Sequence, residues 1–154
     1  MKNLNVAIQM EMVLFIGIPA TGKSTFYKER FFRTHVRVNR DMLRTARREE
    51  LLIKACLEGK TKFVVENTNL ARAVRASYIA SARRARFAVV GYFFESAAVD
   101  AVQRNKLRPE EERVPAVAIW AANKRLEIPA RDEGFDELYR VRMIQPAGFS
   151  VDRI

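Results

Sequence analysis

The stretch Gly17-Ile18-Pro19-Ala20-Thr21-Gly22-Lys23-Ser24-Thr25 restricts this chain more than any other. It follows the apolar run Met12-Val13-Leu14-Phe15-Ile16, which reads as a buried strand, and it precedes Phe26 to Phe32, which continues as a helix. Strand, glycine-rich loop, Lys-Ser and helix make the phosphate-loop arrangement G-x-x-x-x-G-K-[ST]. Gly17 and Gly22 permit backbone angles and a close approach that a side chain would block. Successive N–H groups of the loop then face phosphate oxygens, helped by the positive end of the helix. Gly17, Ala20, Thr21, Gly22, Lys23, Ser24 and Thr25 are therefore the candidate nucleotide contacts. Lys23 reaches for β/γ-phosphates, and the Ser24 hydroxyl is the candidate ligand for Mg²⁺.

At 154 residues the chain reads as a single domain, 1–154, with room for a proper core. Its 49% hydrophobic and 30% charged residues fit a globular protein rather than a disordered one. No apolar run approaches a membrane span, so no membrane partner is expected. Met1 to Met12 lack the apolar core and cleavage pattern of a signal peptide. The lone Cys56 excludes an internal disulfide and suits a reducing cytoplasm. Its place beside Ile53 and Leu57 favours packing over catalysis. The formal charge of +10, from 28 Lys+Arg against 18 Asp+Glu, favours a polyanionic partner, nucleic acid first.

The rest of the chain alternates strand and helix patterns. Leu4 to Ile8 is an extra strand or a loose arm. His35 to Asn39 is a second strand, followed by a helix from Asp41 to Leu57 with Gly59 as a left-handed cap. Lys62 to Glu66 is a third strand. Asn67-Thr68-Asn69 then suits a helix N-cap, and Leu70, Val74, Tyr78 and Ala82 share one helical face. Phe87 to Phe94 reads as a strand covered on both faces. Ser96 is placed to cap a helix that Pro109 stops, and Pro115 opens another running to about Leu126. Glu127 to Gly134 is an acidic loop, and Glu137 to Ile144 alternates like an edge strand. The expected architecture is an α/β three-layer sandwich of the P-loop NTPase/kinase type, with a mostly parallel central sheet. In such sheets ligands bind beyond the carboxyl ends of the strands. That edge collects the phosphate loop, Asn39-Arg40-Asp41, Asn67-Thr68-Asn69 and Glu95.

Asp41 is the only acidic residue between Arg33 and Arg48, a stretch with six arginines. A carboxylate at a strand end can take the proton of an attacking hydroxyl. The same position suits a helix N-cap, and both readings stay open. Arg44, three residues on, would lie one helical turn away and could grip an acceptor phosphate by a bidentate contact. Arg104 and Arg108 stand four apart before Pro109 and the run Glu110-Glu111-Glu112, a segment suited to closing over a nucleotide.

On these stretches the chain resembles the kinase domain of the 5′-polynucleotide kinase family. The matching segments are Gly17 to Thr25, Asn39-Arg40-Asp41-Met42-Leu43-Arg44, Glu66-Asn67-Thr68-Asn69, Arg104-Asn105-Lys106-Leu107-Arg108 and Val114-Pro115, in the family's order and within about residues 12–126. The resemblance implies ATP as donor, Mg²⁺ as cofactor and 5′-hydroxyl ends of DNA or RNA as acceptor. It implies that Lys23 and Ser24 handle the ATP phosphates and Mg²⁺. Asp41 would activate the 5′-hydroxyl, and Arg44 would grip the acceptor's 3′-phosphate. Arg108 would touch the donor phosphates, Arg104 would lie near the nucleotide, and Thr68 would stand near the active site. Glu66 departs from the aspartate that many relatives carry. End-repair members join such a kinase to phosphatase or ligase domains, which these 154 residues lack. Two alternatives remain: a kinase of a nucleoside, sugar or other small molecule, and a nucleic-acid-binding ATPase module.

Overall fold

The computed structural model describes residues 9–154, and the expected strand or arm at Leu4 to Ile8 lies outside them. Among these described residues six strands form one sheet in the order β2-β3-β1-β4-β5-β6. They are β1 (Glu11–Ile16), β2 (Val36–Val38), β3 (Phe63–Val65), β4 (Ala88–Phe94), β5 (Glu137–Met143) and β6 (Phe149–Arg153). All neighbours pair in parallel except β5 and β6, which are antiparallel.

The strand period of two sorts the apolar side chains onto the two faces of the sheet. Met12, Leu14, Ile16, Phe63, Val65 and Val89 meet helices α3 (Ala46–Glu58) and α4 (Arg72–Arg84) through Ile53, Cys56, Ile79 and Ala82. Val13, Phe15, Val64, Val90 and Phe94 meet α1 (Lys23–Arg30) through Phe26 and Tyr27, with Phe31 just beyond it. With both faces covered, β1 and β4 can be apolar almost throughout. The result is the expected three layers. Beyond the carboxyl edge, α5 (Ala98–Lys106) and α6 (Ala116–Arg125) pack through Ala98, Ala101, Ile119 and Ala122 onto Ile18 of the phosphate loop.

Several local expectations are corrected. Glu137–Met143 is interior, because β6 pairs along its far side. The helix expected from Asp41 to Leu57 is two helices, α2 (Arg40–Leu43) and α3, broken where Arg44 adopts φ 73. Thr45 restarts the chain by accepting the Arg48 N–H at 3.2 Å. Gly59 has φ −79; the left-handed residue is Lys60, one position later. There the Thr61 N–H donates to the Cys56 carbonyl at 2.9 Å, the long-range bond of a Schellman end. Asn67, Thr68 and Asn69 do not cap α4, whose N-cap is Ala71, and Ser96 does not cap α5, whose N-cap is Ala97.

The buried face of α4 is Arg75, Ile79 and Ala82, whereas Val74 is 46% exposed. Arg75 turns the helix this way. Its fully buried guanidinium makes two 2.7 Å bonds to Glu133 and donates to the carbonyls of Asn69 and Leu70 at 3.0 and 2.8 Å. Removing one partner of such a pair commonly costs about 3–5 kcal/mol, because the other charge is stranded.

Candidate active site

The phosphate loop is shaped by what crowds it. A Cβ on Gly17 would lie 2.9 Å from the Phe94 carbonyl oxygen. Gly22, at φ +89, caps α1 and sits under the β5–β6 hairpin, where a Cβ would come within 2.8 Å of the Phe149 ring. Ala20 between them takes φ 61 without the freedom of glycine. The Thr21 hydroxyl donates to the Ile18 carbonyl at 2.9 Å. The Gly17 N–H donates to the Thr68 carbonyl at 2.9 Å, so Thr68 meets the loop through its backbone.

Lys23 curls back into this loop. Its ammonium donates to the carbonyls of Gly17 at 2.9 Å and Ile18 at 2.6 Å. Burial pushes its pKa from 10.5 down to about 7; the Glu66 carboxylate opposes the shift and the nearby Arg108 charge adds to it. Ser24, beside it, donates to Glu66 Oε1 at 2.5 Å. Glu66 is buried at the end of β3, and its other oxygen accepts from Arg37 Nε. Arg37 Nη2 stands 3.4 Å from the Ser24 oxygen. Asn39 Nδ2 fixes the Glu66 carbonyl at 2.7 Å.

Among the described residues no cluster of three or more His, Cys, Asp or Glu side chains is set to hold a metal. A hydroxyl with one carboxylate behind it does fit Mg²⁺, which is bound chiefly by substrate phosphates and water with few protein ligands.

The next strand end carries Asn39, Arg40 and Asp41. Asn39 is the N-cap of α2 and accepts the Met42 N–H at 2.8 Å. That assigns the capping role away from Asp41, which lies exposed in the first helical turn with no side-chain hydrogen bond or ion pair among the described residues. Arg44 is exposed and closes α2 as its C-cap, its N–H donating to the Arg40 carbonyl.

Beneath this turn lies a hub the sequence did not reveal. Buried Glu49 receives Arg40 Nε and Nη2 at 3.0 and 3.1 Å, Asn67 Nδ2 at 3.0 Å and the Tyr78 hydroxyl at 2.6 Å. Asn67 in turn accepts the Arg40 N–H at 2.9 Å. Burial alone would raise the Glu49 pKa, but the bonds from Arg40, Tyr78 and Asn67 hold it below the usual carboxylate range. The only trace of this in the sequence is the break in apolar periodicity at Arg47 to Glu50.

Arg104 and Arg108 are placed differently. Arg104 is half-buried and fastened, donating to the Ala20 carbonyl at 2.8 Å and to the Ser96 hydroxyl at 2.5 Å. Among the described residues the Arg108 side chain donates only to the Glu112 carbonyl, at 3.3 Å, and its charge lies close enough to Lys23 to act on it. The segment between is pinned by Asn105, which donates to the Val114 carbonyl at 2.7 Å and accepts its N–H at 3.1 Å. Beside the phosphate loop a cavity of about 320 Å³ is lined by Thr21, Glu95, Ser96, Asp100, Arg104 and Arg142, among others.

The sequence is 28% identical over 138 residues to the bifunctional polynucleotide phosphatase/kinase of Schizosaccharomyces pombe. That match takes in 85% of this chain and 33% of the other, so the chain spans about a third of this curated relative's length. Among solved structures, Chaetomium thermophilum Kti12 in complex with ADP-AlF3 superposes with a TM-score of 0.66 at 16% identity, over 85% of this chain and 88% of that one. A gluconokinase from Sinorhizobium meliloti 1021 gives 0.62 at 18% identity, over 88% and 84%. A chain of the Pnkp1/Rnl/Hen1 RNA repair complex gives 0.62 at 24% identity, over 82% and 47%. These structural likenesses show a shared α/β fold with a mostly parallel central sheet. Residues 12–129, from β1 through α6, match the family described as AAA domain, and the chain belongs to that family of P-loop proteins.

Proposed function

We propose that the protein transfers the γ-phosphate of ATP to the 5′-hydroxyl end of a DNA or RNA strand. The observation that carries this reading is Asp41, a carboxylate at the ligand-binding edge relieved of capping by Asn39. Arg44 beside it holds a left-handed backbone angle, a strain of about 1–3 kcal/mol that glycine would avoid. The side chain is what that strain preserves, and a guanidinium there suits an acceptor phosphate. The likeness to the Schizosaccharomyces pombe bifunctional polynucleotide phosphatase/kinase and the basic balance of the chain point the same way.

In the reaction the acceptor oxygen bonds the γ-phosphorus as the bond to the β–γ bridging oxygen breaks and ADP leaves. The hydroxyl proton passes to the Asp41 carboxylate. Lys23 swings from the loop carbonyls to the donor phosphates, and Arg108 neutralises charge from the lid. Arg104 holds the loop at Ala20. Ser24, backed by Glu66, would hold Mg²⁺, which supplies charge neutralisation at the phosphates when bound. Catalysis of this kind is mainly positioning and electrostatics.

The test is γ-labelled ATP offered with 5′-hydroxyl oligonucleotides, mononucleotides and nucleosides. Label is expected on oligonucleotide ends. Label confined to nucleosides or other small acceptors, or ATP hydrolysis without labelled acceptor, would replace the reading with a small-molecule kinase or an ATPase module.

Lys23 adds a pH signature. Its pKa near 7 in the free protein rises when phosphates become its partner, so nucleotide binding takes up protons above neutrality. Apparent ATP affinity should therefore fall as pH rises through the window from about 7 toward 10.5. Calorimetry near pH 8 in buffers of different ionisation enthalpy should show net proton uptake, absent in Lys23→Met. Equal heats in all buffers would contradict it.

A further inference from the structure

We propose that Arg37 is a resident counter-ion of the metal site, competing with the divalent cation for Glu66 and Ser24 and so setting how much metal the protein needs. The proposal rests on the reading that Ser24 holds Mg²⁺. Parallel pairing sets Arg37 of β2 opposite Val64 of β3. Glu66 lies two residues past Val64, on the same face, so Arg37 reaches it diagonally across neighbouring strands.

The Glu66 side chain is 3% exposed, and an unpaired carboxylate at that depth is costly. Its two oxygens are divided between the Ser24 hydroxyl and Arg37 Nε. The Ser24 hydroxyl donates its hydrogen bond to Glu66, which leaves the serine lone pairs for a cation. Arg37 Nη2, 3.4 Å away, points at that same oxygen. A cation on the Ser24 hydroxyl therefore meets a guanidinium within a few ångströms, and in a partly buried site that repulsion is weakly screened. The guanidinium also has a way out. Its side chain is 30% exposed and lies over the Tyr27 ring, 5.8 Å from the centroid. Release of Arg37 from Glu66 thus accompanies metal entry.

The experiment is titration of Mn²⁺, followed by electron paramagnetic resonance, into the protein saturated with ADP. Arg37→Met should bind Mn²⁺ on the order of tenfold more tightly than the natural chain, because one positive charge is gone. Arg37→Lys, which keeps the charge, should bind as the natural chain does. Arg37→Gln still donates a hydrogen bond to Glu66 and replaces the Met variant if that one fails to fold. Unchanged or weaker Mn²⁺ binding in Arg37→Met or Arg37→Gln, with binding still weakened by Ser24→Ala, would overturn the counter-ion role and leave the metal site standing. Mn²⁺ binding indifferent to both Ser24 and Arg37 would overturn the site as well.

Discussion

Asp41→Asn is expected to lower phosphoryl transfer about 10²- to 10⁴-fold while the protein melts at nearly the same temperature. The substitution keeps shape and removes the proton acceptor and the charge. Because Asn39 caps α2, Asp41→Ala should also leave stability nearly unchanged, as exposed substitutions do. The cap is tested at its own residue. Asn39→Ala should cost about 0.5–2 kcal/mol for the cap, and more because its Nδ2 also holds the Glu66 carbonyl. ATP binding should survive in both Asp41 variants, since the donor phosphates rest on the loop from Gly17 to Thr25. Single-turnover transfer with labelled ATP, beside thermal melts, separates these effects. Near-normal transfer by a folded Asp41→Asn would remove Asp41 as the base and, with it, the observation that carries the polynucleotide-kinase reading.

How much of this was legible in the sequence depended on how local the signal was. The phosphate loop is nine consecutive residues, and the apolar runs of β1 and β4 declare strands buried on both faces. The carboxyl-edge rule then brought these strand ends together; in the structure the Gly17 N–H meets the Thr68 carbonyl and the Arg40 N–H meets Asn67. β6 escaped because Phe149 and Val151 are its only clear apolar alternation, within five half-exposed or exposed residues.

The buried ion pairs escaped for a different reason. Arg37 finds Glu66 at a separation of 29 residues, and Arg75 finds Glu133 at 58. A charged residue is read as exposed until its partner is known, and no local pattern names a partner so distant. Buried Arg75 therefore turns α4 so that Val74, expected on the apolar face, is exposed. Arg44 and Lys60 show a third limit. Each takes a positive φ that favours glycine, so residue type misdirected the helix ends.

The same buried charge makes Lys23 separable from the fold. Lys23→Met should reduce transfer by at least about 10²–10³-fold, the scale of losing one preorganised contact to developing charge. Stability should move the other way. In the natural chain the unfolded lysine titrates at its ordinary 10.5 and the folded one near 7. Between those values the unfolded state binds more protons, so stability rises with pH across that window and is flat outside it. Lys23→Met has no such group, and its stability should lack that rise. Its advantage over the natural chain is largest below pH 7, shrinks toward 10.5, and is offset by the lost bonds to the Gly17 and Ile18 carbonyls. Denaturant melts at several pH values, with transfer assayed on the same samples, test both halves. A Met variant that melts much lower than the natural chain at every pH would mean that Lys23 holds the loop together. A Met variant that folds and still transfers phosphate would mean that the loop's N–H groups carry the donor phosphates without it.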